Sequence, residues 1–457
     1  MPFNSSSRIA VLDLTHGGAE IARKLRKIAG SVTAIDVYRT LSHESLIELE
    51  KEGIKTSVEP LNASDFDFIV APVHLDTNYP MLSDAAFKKI PFLSHHQAVG
   101  QILSGYNLKN KTLIELTGTK AKTSTAILLS DILSREKKVV SHTSRGLEDW
   151  STWAIIKKGL SITPASILTA LDAVQDAGIE FDVFVAEISL GGTGSADIGI
   201  ITTIANDYKI ANNTRLASDA KRRMILDARP GSVLVVNNDA LRFFGSCRRD
   251  INVVSFTDSV NASCNVYYEN LDEKGATIAY FLDKEHGRIH IPEAPDYDLT
   301  SYKTAFVCAT AAALALNIDA LTIERTLQEF KGAEGRMKKK ILDGRTLIDN
   351  SNSGMDIRSA EKALEYSKNE GGRIVMVLGE EAKEVCEGLY PSGVERFIRN
   401  HLDELGALVL VGERMKPFVE KDSTKIHHAN DLPGGIELAR SLTKEKDIIL
   451  SCVKCFR

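Results

Sequence analysis

Short, almost wholly apolar runs alternate along the chain with stretches whose apolar residues recur every three or four positions. The first run, "RIAVLDL" (8–14), predicts a buried strand, and "THGG" predicts a turn. Ala19–Ile28, with Ile21, Leu25 and Ile28 on one face, predicts a helix. "SVTAIDV", ending near Asp36, and "DFDFIVAPV", from near Asp65, extend this into a βαβ start. After the turn-like "SGYNLKN" a new strand, loop and helix begin at Lys111, followed by strands at 181–189, 198–205, 232–238 and 252–256. Strands alternating with helices predict an α/β protein with mainly parallel sheets. Thr300–Leu316 reads as an alanine-rich core helix. Beyond "FKGAEGR", the runs "TLIDNSNSG", "GGRIVMVLGE", "ALVLVGE" and "DIILSCVKC" predict a third α/β unit. The expected domains are therefore 1–108, 109–333 and 334–457.

Composition narrows the picture. A chain of 457 residues exceeds one hydrophobic core, and 43% hydrophobic with 26% charged residues is ordinary for a globular protein. A net charge of −5 offers no basic surplus to hold nucleic acid by its phosphates. The start "MPFNSSSRIAVLDL" has no basic segment leading into an apolar one, and no run approaches the ~18 apolar residues of a membrane span. The expectation is a cytoplasmic protein, monomer or homodimer, whose partner is a small molecule and not a membrane or nucleic acid. Six scattered cysteines suggest reduced thiols, and the lone pair Cys452 and Cys455 in "CVKC" is weak evidence for metal or redox chemistry.

Candidate chemistry centres on "LIELTGTKAKTSTA" (113–126), a strand running through a loop into a helix. Such a loop holds phosphate when backbone N–H groups and a helix amino terminus converge on it, a lysine neutralises charge and a hydroxyl ligates magnesium. Lys122 and Thr123 suit the last two tasks, yet the usual G-x-x-x-x-G-K-[ST] pattern wants glycine where this chain has Leu116 and Ala121. A left-handed backbone at Ala121 would cost roughly 1–2 kcal/mol. Glu187, closing the apolar "FDVFVAEIS", is too costly to bury alone, so it is a magnesium ligand or half of a salt bridge. Gly17 and Gly18 open a helix and could face a phosphate or carboxylate, although the dinucleotide pattern G-x-G-x-x-G is missing. Gly191, Gly192 and Gly194 either let a ligand approach the backbone or form a turn.

The loop Gly118-Thr119-x-x-Lys122-Thr123 resembles the phosphate loop of the Mur ligase superfamily, which normally reads G-T-x-G-K-T. Matches follow in family order over residues 1–457. Glu187 falls at a magnesium-binding glutamate, "ITTIANDY" resembles "ITNI…DH", Lys221 falls at a lysine often carbamylated, and "VLVVNNDA" with Asn237 resembles "V-N-x-D-D". Arg336 and Asp349 match third-domain residues that contact nucleotide. The resemblance implies a three-domain Mur ligase architecture with Rossmann-like amino-terminal and carboxyl-terminal domains around a central P-loop ATPase domain. It further implies ATP and Mg2+ as cofactors, held by Gly118, Thr119, Lys120, Ala121, Lys122, Thr123 and Ser124, with Thr123 and Glu187 on the metal and Lys122, Glu187 and Lys221 catalytic. ATP would bind between the second and third domains and activate a carboxylate as an acyl phosphate.

Departures mark a specialised branch. Tyr208 replaces a metal-binding histidine, Thr203 replaces asparagine, and Ser301-Tyr302-Lys303-Thr304-Ala305 stands where the family has "H-N-x-x-N". "LDLTHGG", "AEISLGGTGSADIG" and the terminal "SCVKCFR" resemble a methanogen branch that uses ATP to close the free propionate of a nickel tetrapyrrole into a carbocycle. For such a substrate, His16, His74, His95 and His96 are candidates to meet a carboxylate or the nickel, if they are not simply surface or capping residues. His16, beside Gly17 and Gly18, is the first choice, with Gly191, Gly192 and Gly194 facing the same substrate. The alternatives are a Mur-type amide ligase of cell-wall or polyglutamyl type, or a nucleotide-binding module with degraded catalysis.

Overall fold

The structure is a computed structural model that describes residues 3–245, 248–260, 264–272, 274–282, 285–381, 388–419 and 424–455. Phe456 and Arg457, the end of "SCVKCFR", lie outside the described residues. Contacts divide the chain into two units: 1–268 with 278–288 and 304–323, and 269–277 with 289–303 and 324–457.

The first unit opens with β1 (Arg8–Leu12), α1 (Ala19–Arg26), β2 (Ser31–Ile35), α2 (His43–Lys51), β3 (Lys55–Ser57), β4 (Phe68–Ala71), α3 (Pro80–Lys88), β5 (Phe92–Ser94) and α4 (His95–Leu103). The five strands pair in parallel in the order β3-β2-β1-β4-β5. β1 is buried from Ile9 to Leu12, which is why it reads as an unbroken apolar run: helices cover both faces of a parallel sheet. Ile21, Ala22 and Leu25 form the buried face of α1. The helix stops at Arg26, and "THGG" is a wide helical turn, Leu14–Gly18, broken at His16 and Gly17.

The same unit continues with β6 (Thr112–Thr117), α5 (Lys122–Ser134), β7 (Val139–Thr143), β8 (Gly146–Asp149), β9 (Ala154–Lys157), α6 (Ser166–Asp176), β10 (Val183–Glu187) and β11 (Ile198–Ile201). A small hairpin, β12 (Lys209–Ile210) and β13 (Arg215–Leu216), leads to α7 (Ala217–Lys221), α8 (Arg223–Leu226), β14 (Val233–Asn237), α9 (Asn238–Phe244) and β15 (Asn252–Val260). The central order is β15-β14-β11-β6-β10-β7-β8-β9, parallel up to β7 and antiparallel beyond it. β6, which leads into the candidate phosphate loop, is thus interior, flanked by β10, which ends in Glu187, and by β11. The strand expected over 198–205 ends at Ile201 because Thr202 and Thr203 turn their polar groups onto the phosphate loop.

β16 (Val266–Asp272), β17 (Gly275–Leu282), β18 (Glu285–Pro292), α10 (Lys303–Ala315) and α11 (Ala320–Glu329) follow. Residues Ala305–Leu314 of α10 are buried all round, matching the core helix expected there. The second unit then builds β19 (Lys338–Leu342), β20 (Arg345–Asp349), α12 (Ile357–Asn369), β21 (Ile374–Glu380), α13 (Pro391–His401), β22 (Ala407–Val411), β23 (Ile426–Ala429), α14 (Leu432–Ser441) and β24 (Ile448–Lys454). Its sheet runs β19-β20-β24-β21-β22-β23, parallel except for β19. Cys452 packs into the apolar cluster of one face and Cys455 into that of the other, so "CVKC" forms no pair of ligands. Among the described residues no helix is long and apolar enough to cross a membrane.

Candidate functional site

The candidate phosphate loop, 118–124, is fixed by the chain that follows the neighbouring strand β11. A Cβ at Gly118 would stand 2.0 Å from Thr202 Oγ1, so only glycine fits. Thr119 N and Oγ1 donate to Thr203 O (2.9 Å) and Ala205 O (2.7 Å), while Thr202 Oγ1 donates to Lys120 O (2.6 Å). Ala121 takes the left-handed backbone, φ 65° and ψ 0°, directly before α5. An alanine held in that region costs roughly 1–2 kcal/mol. Lys122 Nζ donates to Gly118 O (3.1 Å) and so lies across the loop, and Ser124 is buried in the first turn of the helix.

Beneath the loop, Glu187 is 2% exposed. Its Oε2 accepts from Thr123 Oγ1 (2.8 Å) and Ser144 N (3.1 Å), and Thr123 Oγ1 also lies 3.1 Å from Ser144 Oγ. Among the described residues Glu187 thus meets hydroxyl and amide donors and no cationic side chain. A carboxylate and hydroxyls brought together in this way are hard oxygen donors, the set that suits magnesium, and the adjoining helix amino terminus and Lys122 suit phosphate. Asn237 caps α9 and donates from Nδ2 to Thr202 O (2.9 Å), bracing the end of β11 against which the loop is held. Asp239 adds to that brace by accepting from Thr203 Oγ1 (2.5 Å) and Ile204 N (3.2 Å).

Lys221 is fully buried, with Nζ 3.5 Å from Tyr208 Oη and 4.9 Å from the centre of the Tyr208 ring. Burial pulls its pKa down to about 7, Lys122 adds to the effect, and Asp207 opposes it. In the loop after β10, a Cβ at Gly191 would stand 2.8 Å from Ala220 O, at Gly192 2.5 Å from Met224 Sδ, and at Gly194 2.6 Å from Asp227 O. Protein atoms fill these spaces, so close packing accounts for the three glycines. Thr193 between them donates from its N to Glu115 Oε2 (2.7 Å) and from its hydroxyl to Glu115 Oε1. Burial lifts the Glu115 pKa to about 7 against those bonds.

In the amino-terminal sheet, Asp13 accepts on Oδ2 from His16 Nδ1 (2.8 Å) and His74 Nε2 (3.2 Å). Burial would raise its pKa, but hydrogen bonds from His16 and His74 hold it well below the usual carboxylate range. Gly17 and Gly18 are filled in like manner: a Cβ would meet Ala165 Cβ at 2.5 Å and Asp13 O at 2.2 Å. His95 and His96 are neither surface nor capping residues. They lie buried in α4, donate from Nε2 to Leu12 O and Ser189 O (2.9 Å each), and burial lowers them to about 3 and about 4.

In the second unit Asp349 accepts from Gly335 N and Ser351 N (3.1 Å each), which sets it against the backbone next to Arg336. Sequence reasoning did not single out Asp13, Glu115, Ser144, Thr193 or Asp239. Glu115 gave a signal as a carboxylate within the apolar run "LIELT", Asp239 as the first aspartate of the "V-N-x-D-D" likeness, and Asp13 only as part of "LDLTHGG".

Comparisons with known proteins bear on this geometry. A family model described as "Coenzyme F430 synthetase CfbE, C-terminal domain" matches residues 339–455. Coenzyme F(430) synthetase of Methanosarcina acetivorans is 46% identical over 473 residues, covering 98% of this chain and 99% of that protein. Among solved structures, MurF from Acinetobacter baumannii superposes with a TM-score of 0.59 at 19% identity, covering 79% of this chain and 78% of that one. MurF ligase from Thermotoga maritima in complex with ADP gives 0.51 at 13% identity, covering 100% and 93%. These two likenesses concern the fold: mixed α/β with parallel sheets.

Proposed function

Since the chain belongs to the coenzyme F(430) synthetase family and is an ATP-dependent ligase with a Mur-type fold, we propose that it activates a carboxylate of a nickel seco-tetrapyrrole acid as an acyl phosphate and closes it onto a carbon of the same molecule. The observation that carries this reading is the buried Thr123, Glu187 and Ser144 constellation beneath the loop crossed by Lys122. We assign residues 1–108 to substrate, 109–333 to ATP and 334–457 to a domain that contributes Arg336 and Asp349 to the nucleotide, the last by resemblance. Four free cysteines among the described residues suit a reducing cytoplasm.

Each residue has a defined task. Thr123 and Glu187 would hold magnesium, and the backbone N–H groups opening α5 would receive phosphate oxygens. When bound, magnesium and ATP supply the phosphoryl group that gives the carboxylate a leaving group. Lys122 would exchange Gly118 O for the outer phosphates and neutralise charge that grows during transfer. The substrate carboxylate oxygen bonds to the γ-phosphorus as ADP leaves. The reacting carbon then bonds to the acyl carbon, the bond from that carbon to the phosphate oxygen breaks, and the proton on the reacting carbon is lost, giving a six-membered ring ketone and phosphate. Lys221 would orient the phosphate end, as a charge or, if its neutral amine adds carbon dioxide with loss of a proton, as a carbamate. Exclusion of water protects the acyl phosphate from hydrolysis.

The test is ADP release with magnesium, ATP and the nickel seco-tetrapyrrole acid, with and without amines. Turnover without amine, accompanied by a change in the tetrapyrrole absorption spectrum, is the expected result. Turnover only when an amine is added would make the protein an amide ligase.

A further inference from the structure

The amino-terminal sheet reverses its winding at its centre. β2 and β3 lie to one side of β1, and β4 and β5 to the other. In open parallel sheets the crevice beyond the carboxyl ends of the two strands at such a reversal is where ligands bind. Asp13 directly follows β1, and His74 lies in the loop after β4, so this crevice is where Asp13, His16 and His74 meet.

Their arrangement is that of an oriented metal-binding imidazole. Asp13 is fully buried in a left-handed backbone (φ 66°), and its Oδ1 accepts from Thr15 N (3.1 Å) and His16 N (3.2 Å) while Oδ2 takes both rings. The carboxylate acceptor puts the proton of His74 on Nε2 and leaves the lone pair on Nδ1, directed away from Asp13. A histidine held through one nitrogen by a carboxylate is the usual form of a metal ligand, its orientation fixed and its basicity raised. The His16 and His74 rings stand edge to face with centres 4.8 Å apart, each partly exposed. Tyr38, 43% exposed, stands edge to face with His16 (5.8 Å) and adds an aromatic surface suited to a flat macrocycle.

The crevice also adjoins the catalytic end. Val73, next to His74, packs with Leu190 onto Ile210, Ala211, Ala217 and Ala220, the cluster that includes the helix of Lys221. Asn212 Nδ2 donates to Asp76 Oδ2 (3.0 Å) across the same junction.

Resting on the tetrapyrrole reading above, we propose that His74 ligates the nickel of the substrate axially through Nδ1, with Asp13 and His16 as positioning residues. The equatorial nitrogens of the macrocycle leave an axial position open to an imidazole, a ligand that suits nickel. The bond fixes the depth and rotation of the ring, and so which side-chain carboxylate faces Lys122.

The test is nickel X-ray absorption and optical spectroscopy of the nickel seco-tetrapyrrole acid bound to the full chain. Wild type should add an axial nitrogen to the nickel and shift the long-wavelength band. His74→Gln should lose both while melting like wild type, raise KM for the tetrapyrrole at least about tenfold, and regain the nickel signature with added imidazole. Asp13→Asn should weaken the signature without abolishing it. An unchanged nickel spectrum in His74→Gln overturns the assignment, as does loss in His16→Gln with retention in His74→Gln. Nickel ion titrated alone, bound by wild type and lost in His74→Gln while the tetrapyrrole spectrum stays that of the free compound, overturns it in favour of a simple ion site. ADP release measured on the same samples separates the two readings: turnover without axial ligation overturns this inference alone, and no binding of the tetrapyrrole overturns both.

Discussion

The phosphate loop and the histidine crevice both sit where parallel strands end and helices begin, yet they are assembled differently. Gly118 through Ser124 lie in one contiguous strand, loop and helix, and their partner Glu187 closes an adjacent strand. Asp13 and His74 are 61 positions apart and meet because β1 and β4 pair at the centre of an open sheet. The first site carries a spacing that can be read in one dimension, whereas the second joins Asp13 and His16, three positions apart, to the distant His74 through one buried carboxylate. Sites of the second kind become visible only with sheet topology.

The largest effect expected on this comparison comes from Lys122→Ala and Glu187→Ala. Each should lower ADP formation at least about 100-fold with an unchanged circular dichroism spectrum, and ordinary turnover in either would break the assignment of the loop. Next is Lys221→Met, measured by denaturant unfolding against pH. A lysine lowered to about 7 in the folded chain binds fewer protons there than in the unfolded chain, so its penalty is full below about 7 and is relieved as pH rises toward 10.5. The variant should be more stable than wild type by on the order of 1–3 kcal/mol at neutral pH, with the gap closing toward zero as the solution becomes basic.

Glu115→Gln sharpens the comparison from the other side, because Glu115 is hidden in the phosphate-loop strand yet anchors the glycine loop after β10. With its pKa raised from 4.5 to about 7, wild type loses stability as pH rises through that window, and the variant should not. The amide can still accept from Thr193 N and donate to the Thr193 hydroxyl, so equal slopes in unfolding experiments would contradict the burial argument. The smallest effect belongs to Ala121→Gly. Glycine relieves the left-handed strain but frees the unfolded chain, leaving a net change of about 0–1 kcal/mol and unaltered nucleotide affinity by calorimetry.

Much of the fold was legible because strands buried on both faces, such as Ile9–Leu12 of β1 and Ile374–Leu378 of β21, read as nearly unbroken apolar runs. Boundaries were less so: the strand expected over 198–205 ends at Ile201, since Thr202 and Thr203 serve the loop and not the sheet. The left-handed backbone at Ala121 entered only as a condition with a cost, and the structure adopts it. The glycines at 191, 192 and 194 read equally as ligand approach or turn, and only the positions of Ala220, Met224 and Asp227 reveal the packing that requires them. His95 and His96 look like surface chemistry in one dimension, but α4 carries them inward to bind carbonyl oxygens.

The proposed reaction activates a carboxylate by phosphoryl transfer and then captures it with a carbon of the same molecule. The most direct measurement labels that carboxylate of the nickel seco-tetrapyrrole acid with oxygen-18 and follows the label by mass spectrometry in a single turnover without amine. One labelled oxygen is expected in the released phosphate and the other in the ring ketone. Unlabelled phosphate, or both labelled oxygens retained on the tetrapyrrole, would contradict the proposed reaction.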